Sequence, residues 1–147
     1  MYSLKSGSVQ RDKDEDSPRI LHILLVEDHD DTRRAIKLFL QALGHRTQVA
    51  VGVQEALNLA ATSNTRFDLL LSDIRLPDGT GWELLRRLKE TDRRPKQAIA
   101  ISARGTKIDL AESKSAGFRV HLVKPIAPEV LETALGQAAA AICEKKD

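Results

Sequence analysis

Cysteine is almost missing from this sequence: Cys143 is the only one in 147 residues. No disulfide can close within the chain, and nothing in its chemistry requires an oxidising compartment. Aromatic residues are scarce, at 3%, so any core must be aliphatic. No apolar run approaches the roughly 18 residues of a membrane span, and Met1 to Pro18 lacks the apolar middle region of a secretory signal. Neither sign of charge dominates, with 23 basic against 21 acidic residues and a net charge of +2. That balance denies nucleic acid a concentrated positive field, in spite of a pI of 8.8. The absences together lead to the expectation of a cytoplasmic domain without direct contact with membrane or nucleic acid.

What is present suits one domain: 41% hydrophobic and 30% charged residues, the balance of an ordinary packed fold. Residues 1–18 are polar and lack periodicity, with the charged run Arg11 to Asp16, and read as a flexible tail or linker. A single domain is expected over residues 19–147. Ile20 to Val26 is a continuous apolar run of the kind buried on both faces of a parallel sheet. A helix is expected over Thr32 to Leu43, with Ala35, Phe39 and Ala42 on its inward stripe and Gly44 as its stop. Further strands are read at Thr47 to Ala50, Asp68 to Ser72, Gln97 to Ser102 and Val120 to Val123. Further helices are read at Val53 to Thr62, Trp82 to Lys89 (Leu84, Leu85 and Leu88 inward), Ile108 to Ala116, and Pro128 to Ile142. Cys143, on that last helix, reads as a buried or half-buried small apolar residue. Five βα units in alternation imply an open, doubly wound parallel sheet with helices on both faces.

In such folds ligands bind beyond the carboxyl ends of the strands. Here the first strand runs into Glu27 and Asp28, the third into Asp73, the fourth into Ser102 and the fifth into Lys124. One rim thus receives three carboxylates, a hydroxyl and an ammonium. Two carboxylates about 4 Å apart repel by on the order of 4 kcal/mol at an effective dielectric near 20, so the cluster calls for a cation or shifted pKa values. Oxygen ligands without His or Cys favour Mg²⁺ over zinc, and Mg²⁺ characteristically completes its shell with water and phosphate oxygens. Taken singly, these residues have plainer uses: Asp28 or Asp30 as a helix N-cap, Ser102 in a turn.

The segments Ile23-Leu24-Leu25-Val26-Glu27-Asp28, Leu70-Leu71-Ser72-Asp73-Ile74-Arg75-Leu76-Pro77-Asp78-Gly79, Ile101-Ser102-Ala103 and Val123-Lys124-Pro125 resemble, in this order, the response-regulator receiver domains of two-component signalling. The resemblance covers roughly Arg19 to Ile142. It implies a flavodoxin-like five-stranded sheet of order 2-1-3-4-5, with Asp73 as the phosphorylated aspartate. It further implies Mg²⁺, or Mn²⁺ in its place, held by Glu27, Asp28, Asp73 and the backbone carbonyl of Arg75. Ser102 and Lys124 would bind the phosphoryl group, and the bond before Pro125 would be cis. The donor would be a phosphohistidine on a histidine kinase or histidine phosphotransfer domain. The protein would promote its own phosphorylation and dephosphorylation without being a conventional enzyme. The other reading is a receiver-like protein-binding module that is not phosphorylated.

The sequence departs from the family pattern in places. His121 stands three residues before the lysine, where the family carries Tyr or Phe; it reads either as a switch residue that moves inward or as a surface histidine. Ile126 after Lys124-Pro125, with Ala116-Gly117-Phe118 and His121-Leu122, is similar to receivers of hybrid sensor histidine kinases; a stand-alone regulator is the other reading. Arg75 and Arg104 occupy positions that in the family influence loss of the phosphoryl group to water. Little sequence follows the last helix, so output is expected through protein contacts, including a homodimer formed by the fourth helix, fifth strand and fifth helix. Other signals are weaker. The basic residues from Arg86 to Lys96 read as a solvated face. Gly79-Thr80-Gly81 lacks the third glycine of a dinucleotide fingerprint, since Leu84 stands there. A dehalogenase-type phosphatase resembles its relatives in a second aspartate two residues after the nucleophile, and Arg75 occupies that place.

Overall fold

A computed structural model describes residues 20–144; the tail expected over residues 1–18 lies outside the described residues, as do Arg19 and residues 145–147. The sheet strands are β1 (His22–Val26), β2 (Arg46–Ala50), β3 (Leu69–Asp73), β4 (Gln97–Ser102) and β5 (Val120–Val123). The helices are α1 (Asp30–Ala42), α2 (Val53–Thr62), α3 (Gly81–Lys89), α4 (Lys107–Ala116) and α5 (Pro128–Glu144). All pairings in the main sheet are parallel, in the order β2-β1-β3-β4-β5.

The alternation of side chains along a strand divides the core in two. Leu24, Val26, Leu70, Ala98 and Ala100 point to one face, where Ala56 and Ala60 of α2 and Leu84, Leu85 and Leu88 of α3 cover them. Ile23, Leu25, Leu69, Leu71, Ile99 and Ile101 point to the other, beneath Leu40 of α1 and Leu131, Leu135, Ala138 and Ile142 of α5. Each fully buried Leu or Ile removes enough apolar surface from water to contribute about 1.5–3 kcal/mol.

Helix boundaries follow local chemistry. Thr106 and Asp109 form a reciprocal capping box at the start of α4, and the helix ends at Gly117. The Thr80 hydroxyl accepts the Glu83 N–H at the start of α3. α1 is capped by His29, whose Nδ1 faces the Thr32 N–H at 3.4 Å, and not by Asp28 or Asp30.

Several expectations are corrected. In α1 the inward stripe is Ile36, Phe39, Leu40 and Leu43, while Ala35 and Ala42 are exposed. The bulkier residues gain more from burial than alanine and set the helix's rotation. Cys143 is exposed, because the buried stripe of α5 passes through Ala141 and Ile142 and the next residue is rotated about 100° off it. β3 begins at Leu69, with the Asp68 carboxylate accepting the His22 N–H at 2.8 Å. A two-residue antiparallel ribbon, Arg75–Leu76 against Gly79–Thr80, follows β3; the sequence reading passed over it.

Candidate functional site

The strand order reverses between β1 and β3, and the carboxyl ends of these strands carry the acidic residues. Glu27 follows β1 and is fully buried at 0% exposure, Asp73 ends β3 at 6%, and Asp28 is exposed. One carboxylate oxygen from each of the three lies within 4.8 Å of the others. Lys124, directly after β5, reaches across the rim: its Nζ lies 2.8 Å from Glu27 Oε1 and 2.8 Å from Asp73 Oδ2. The Lys124–Pro125 peptide is cis. Ser102 ends β4, buried, with its Oγ accepting the Arg104 N–H at 3.1 Å.

The loop after β1 is held by more than its own turn. The Arg33 guanidinium donates to the Glu27 carbonyl at 3.0 Å and to Asp30 Oδ1 at 2.7 Å. The His29 N–H donates to Glu27 Oε2 at 3.1 Å. On the β3 side the Arg75 N–H donates to Asp73 Oδ1 at 3.2 Å. Asp78 spans to the next helix, its carboxylate accepting the Val53 N–H at 2.7 Å and the Gln54 N–H at 3.0 Å. Gly52 stands at the N-cap of α2 and has no side chain to offer, so Asp78 supplies the cap from the loop after β3.

Burial pushes the Glu27 carboxyl up; the hydrogen bonds from Lys124 and the His29 backbone oppose this without cancelling it. Burial pulls the Lys124 ammonium the other way, toward loss of its proton, but its bonds to Asp73 and Glu27 outweigh that and hold it above the ordinary lysine range. With all four groups charged, three carboxylates against one ammonium leave two negative charges. One divalent cation would balance that charge. The donors are all oxygen and they converge from separate strands, and one of them, Asp28, faces solvent; this suits an ion such as Mg²⁺ that keeps part of its water.

His121 is partly buried and bonded at both ring nitrogens: Nδ1 lies 2.7 Å from the Ser113 hydroxyl and Nε2 2.8 Å from the Arg104 carbonyl. Of the basic residues on and after α3, Arg86, Arg87, Arg94 and Lys96 are exposed, as expected of a solvated face, while Lys89 and Arg93 are half-buried. Lys89 donates to the Ala116 carbonyl at the end of α4 (2.9 Å), Arg93 to the carbonyls of Ala60 and Ser63 at the end of α2, and Arg94 to the Lys89 carbonyl. Arg86 pairs with Glu112, and Lys96 with Asp68. Cations placed on the last carbonyls of helices meet the negative end of the helix dipole. The contacts made by Arg33, Asp78 and Ser113 were not legible in the sequence, although Asp78 stands in one of the matching segments. The only signal for Asp78 was the glycine standing where α2 needed a cap.

A doubly wound sheet whose switch point gathers buried acids against one lysine defines a receiver-type domain. The chain belongs to the response-regulator family: the model of the response regulator receiver domain matches residues 23–136. It is 36% identical over 110 residues to the transcriptional regulatory protein AfsQ1 of Streptomyces coelicolor, a match covering 75% of this chain and 47% of that protein. It is 31% identical over 121 residues to the sensor protein EvgS of Escherichia coli K12, covering 82% of this chain and 10% of EvgS. The chain thus spans about half of one relative and a tenth of the other. Among solved structures, the receiver domain of the sensor histidine kinase PA1611 of Pseudomonas aeruginosa, with magnesium in its active-site cleft, superposes with a TM-score of 0.73 at 28% identity, covering 83% of this chain and 99% of that one. A CheY-like receiver from Methanospirillum hungatei gives a TM-score of 0.77 at 25% identity, covering 87% and 100%. Among the described residues no helix is long and apolar enough to cross a membrane.

Proposed function

We propose that Asp73 accepts a phosphoryl group from a phosphohistidine on a histidine kinase or histidine phosphotransfer domain, and that the modified domain switches its protein contacts. The observation that carries this is the Asp73 carboxylate held 2.8 Å from Lys124 Nζ while its side chain keeps 8% exposure, enough to meet a donor. An Asp73 oxygen attacks phosphorus, the phosphorus–nitrogen bond breaks, and its electron pair leaves with the imidazole. Phosphoryl transfer asks mainly for positioning and charge neutralisation. Lys124 neutralises Asp73 beforehand and a phosphoryl oxygen afterwards. The Ser102 hydroxyl donates to another phosphoryl oxygen. Glu27, Asp28, Asp73 and the Arg75 carbonyl would hold Mg²⁺, or Mn²⁺ in its place, which supplies further positive charge to the transferring group.

Output is assigned to the α4-β5-α5 face, where Ile108 and Val123 stand 79% and 46% exposed, an apolar surface suited to a homodimer of activated domains. The site reads as that of a cytoplasmic phosphoprotein that turns over its own modification, alone or within a hybrid kinase. Intact-mass measurement after incubation with acetyl phosphate and Mg²⁺ tests the central claim. Wild type is expected to gain one phosphate, and Asp73→Asn none. Equal gain in both proteins removes Asp73 from its role. No gain in wild type, with histidine kinases also failing as donors, leaves a binding module that is not phosphorylated.

A further inference from the structure

The edge of the sheet opposite Asp73 holds a polar cleft of about 300 Å³, at the small end of the range for ligand pockets. His22, 5% exposed, is its buried member; Arg46 and Gln48 of β2 line it on one side, and Asn64 and Thr65, after α2, on the other. Chemistry fixes the direction of each bond at the ring. Gln48 Nε2 lies 3.3 Å from His22 Nε2, and an amide nitrogen only donates. In the neutral ring Nε2 is therefore the acceptor and the proton sits on Nδ1, which donates to the Thr65 hydroxyl oxygen at 3.0 Å. Thr65 keeps its own hydrogen to give, and the Gln48 amide keeps its second one.

The charges at this edge are unevenly used. Arg93 donates to the carbonyls of Ala60 and Ser63, Arg66 to the Arg94 carbonyl, and Lys96 lies 3.4 Å from Asp68. Asp68, the acid beside the ring, is occupied by Lys96 and by the His22 N–H at 2.8 Å. Arg46 is exposed, and neither its guanidinium nor the Asn64 side chain has a hydrogen-bond or ion-pair partner among the described residues. No carboxylate lines the cleft. The Thr62 and Ser63 hydroxyls, which also line it, give their hydrogens to the Asn58 and Thr65 carbonyls and serve a ligand only as acceptors.

We propose that this cleft binds free inorganic phosphate, with Arg46 supplying the charge and Gln48, Asn64 and Thr65 the hydrogen bonds to its oxygens. Donors that meet an ionised oxygen make the stronger class of hydrogen bond. The acceptors Thr62 and Ser63 suit the P–OH of hydrogen phosphate, which the dianion of a phosphate monoester lacks. The inference goes beyond the phosphorylation of Asp73 and does not depend on it. His22 and Arg46 open β1 and β2 at their amino ends, whereas Asp73 ends β3 at the carboxyl edge. Without a divalent ion the carboxyl rim, three carboxylates against Lys124, repels an anion.

The test is a ¹H–¹⁵N titration of the full chain with sodium phosphate in Mg²⁺-free buffer, against sodium chloride at matched ionic strength. Phosphate is expected to give saturable shifts at the amides of Arg46, Gln48, Asn64 and Thr65 and none at Ser102 or Lys124. Arg46→Gln is expected to weaken binding roughly tenfold, the order of one hydrogen bond to a charged group. Asn64→Asp, which sets a like charge in the cleft, is expected to abolish saturation. Both substitutions fall at exposed positions, and amides elsewhere in the spectrum report whether the fold is kept. Shifts that chloride reproduces, that persist unchanged in both variants, or that gather around Lys124 overturn the site. Methyl phosphate is expected to bind more weakly than phosphate; equal or tighter binding overturns the assignment to the free ion. A ligand that binds only the folded chain also raises its melting temperature by mass action. Phosphate should therefore raise that of wild type more than that of Arg46→Gln, and equal rises count against the cleft.

Discussion

Lys124 binds two carboxylates with one ammonium, and the physical consequence is competition. Its contacts of 2.8 Å to Glu27 and Asp73 relieve the repulsion that a divalent ion would also relieve. Removing one partner of a buried ion pair costs about 3–5 kcal/mol because the other charge is left uncompensated. Lys124→Ala is therefore expected to melt lower than wild type in metal-free buffer, to bind Mg²⁺ at least tenfold more tightly, and to recover much of the lost stability as Mg²⁺ is added. Thermal melts across a Mg²⁺ titration check this; equal Mg²⁺ dependence in both proteins would show that lysine and ion do not share the same carboxylates. Asp78 acts at the same scale with a different result. It caps α2 through two N–H groups and is held below the usual carboxylate range chiefly by the Gln54 and Val53 bonds. Asp78→Asn keeps an oxygen for one of them, whereas Asp78→Ala loses both. Urea unfolding of Asp78→Ala is expected to show a loss of about 1 kcal/mol, the ordinary size of a missing cap, with Asp78→Asn in between.

At the scale of elements, the approach of α3 to β3 positions the strand end that carries Asp73. A Cβ built on Gly81 falls 2.5 Å from the Asp73 carbonyl oxygen and 3.1 Å from Ser72 Oγ, so only glycine lets the helix begin this close. Gly81→Ala must push α3 and the Asp73 backbone apart, with an overpacking cost of about 1–3 kcal/mol and a slower phosphate gain by intact mass. Gly136, within α5, has nothing within 4 Å of a built Cβ. Gly136→Ala is expected to stabilise by about 0.5–1 kcal/mol and to leave the phosphate gain unchanged. If both variants phosphorylate at the wild-type rate, the α3–β3 contact does not position Asp73. The same two elements show what the sequence made legible. β3 was readable because a strand covered on both faces is a continuous apolar run, here Leu69, Leu70 and Leu71. Glu27, Asp28, Asp73, Ser102 and Lys124 were readable because parallel strands deliver their last residues to one rim. The rotation of α1 was not, because Ala35-Ile36, Phe39-Leu40 and Ala42-Leu43 offer two overlapping stripes of helical spacing. Neither were the caps that Asp78 gives α2 and Lys89 gives α4, which join residues 25 and 27 apart in the chain. Local spacing encodes local geometry, and a polar side chain reaching between elements leaves no period behind.

Across the whole molecule the four histidines fall at opposite edges of the sheet. His29 and His121 lie near the rim that carries Glu27 and Asp73, while His22 begins β1 and His45 precedes β2 at the far end. The far pair is built to be neutral. His45 Nδ1 accepts the Leu21 N–H at 3.0 Å, and burial lowers its pKa. His22, packed against Phe67, meets the Thr65 hydroxyl through Nδ1 at 3.0 Å and the Gln48 amide through Nε2 at 3.3 Å. Burial foremost, and then Arg46, lowers its pKa as well. In the unfolded chain both return to about 6.5. Below that value the unfolded state takes up protons that the folded state refuses, so stability must fall as pH drops from 6.5 toward the lowered native values, and above 6.5 this contribution is complete. Urea midpoints measured from pH 7.5 to 5.5 are expected to decline in wild type. The decline should flatten in His22→Gln with His45→Asn, where asparagine keeps an acceptor for Leu21 but cannot be protonated. Because both residues sit at the edge away from Asp73, the rate of phosphate gain in the double variant should follow the wild-type pH profile. A level wild-type profile, or a double variant that still declines as steeply, would place the acid sensitivity of this fold elsewhere than in its far-edge histidines.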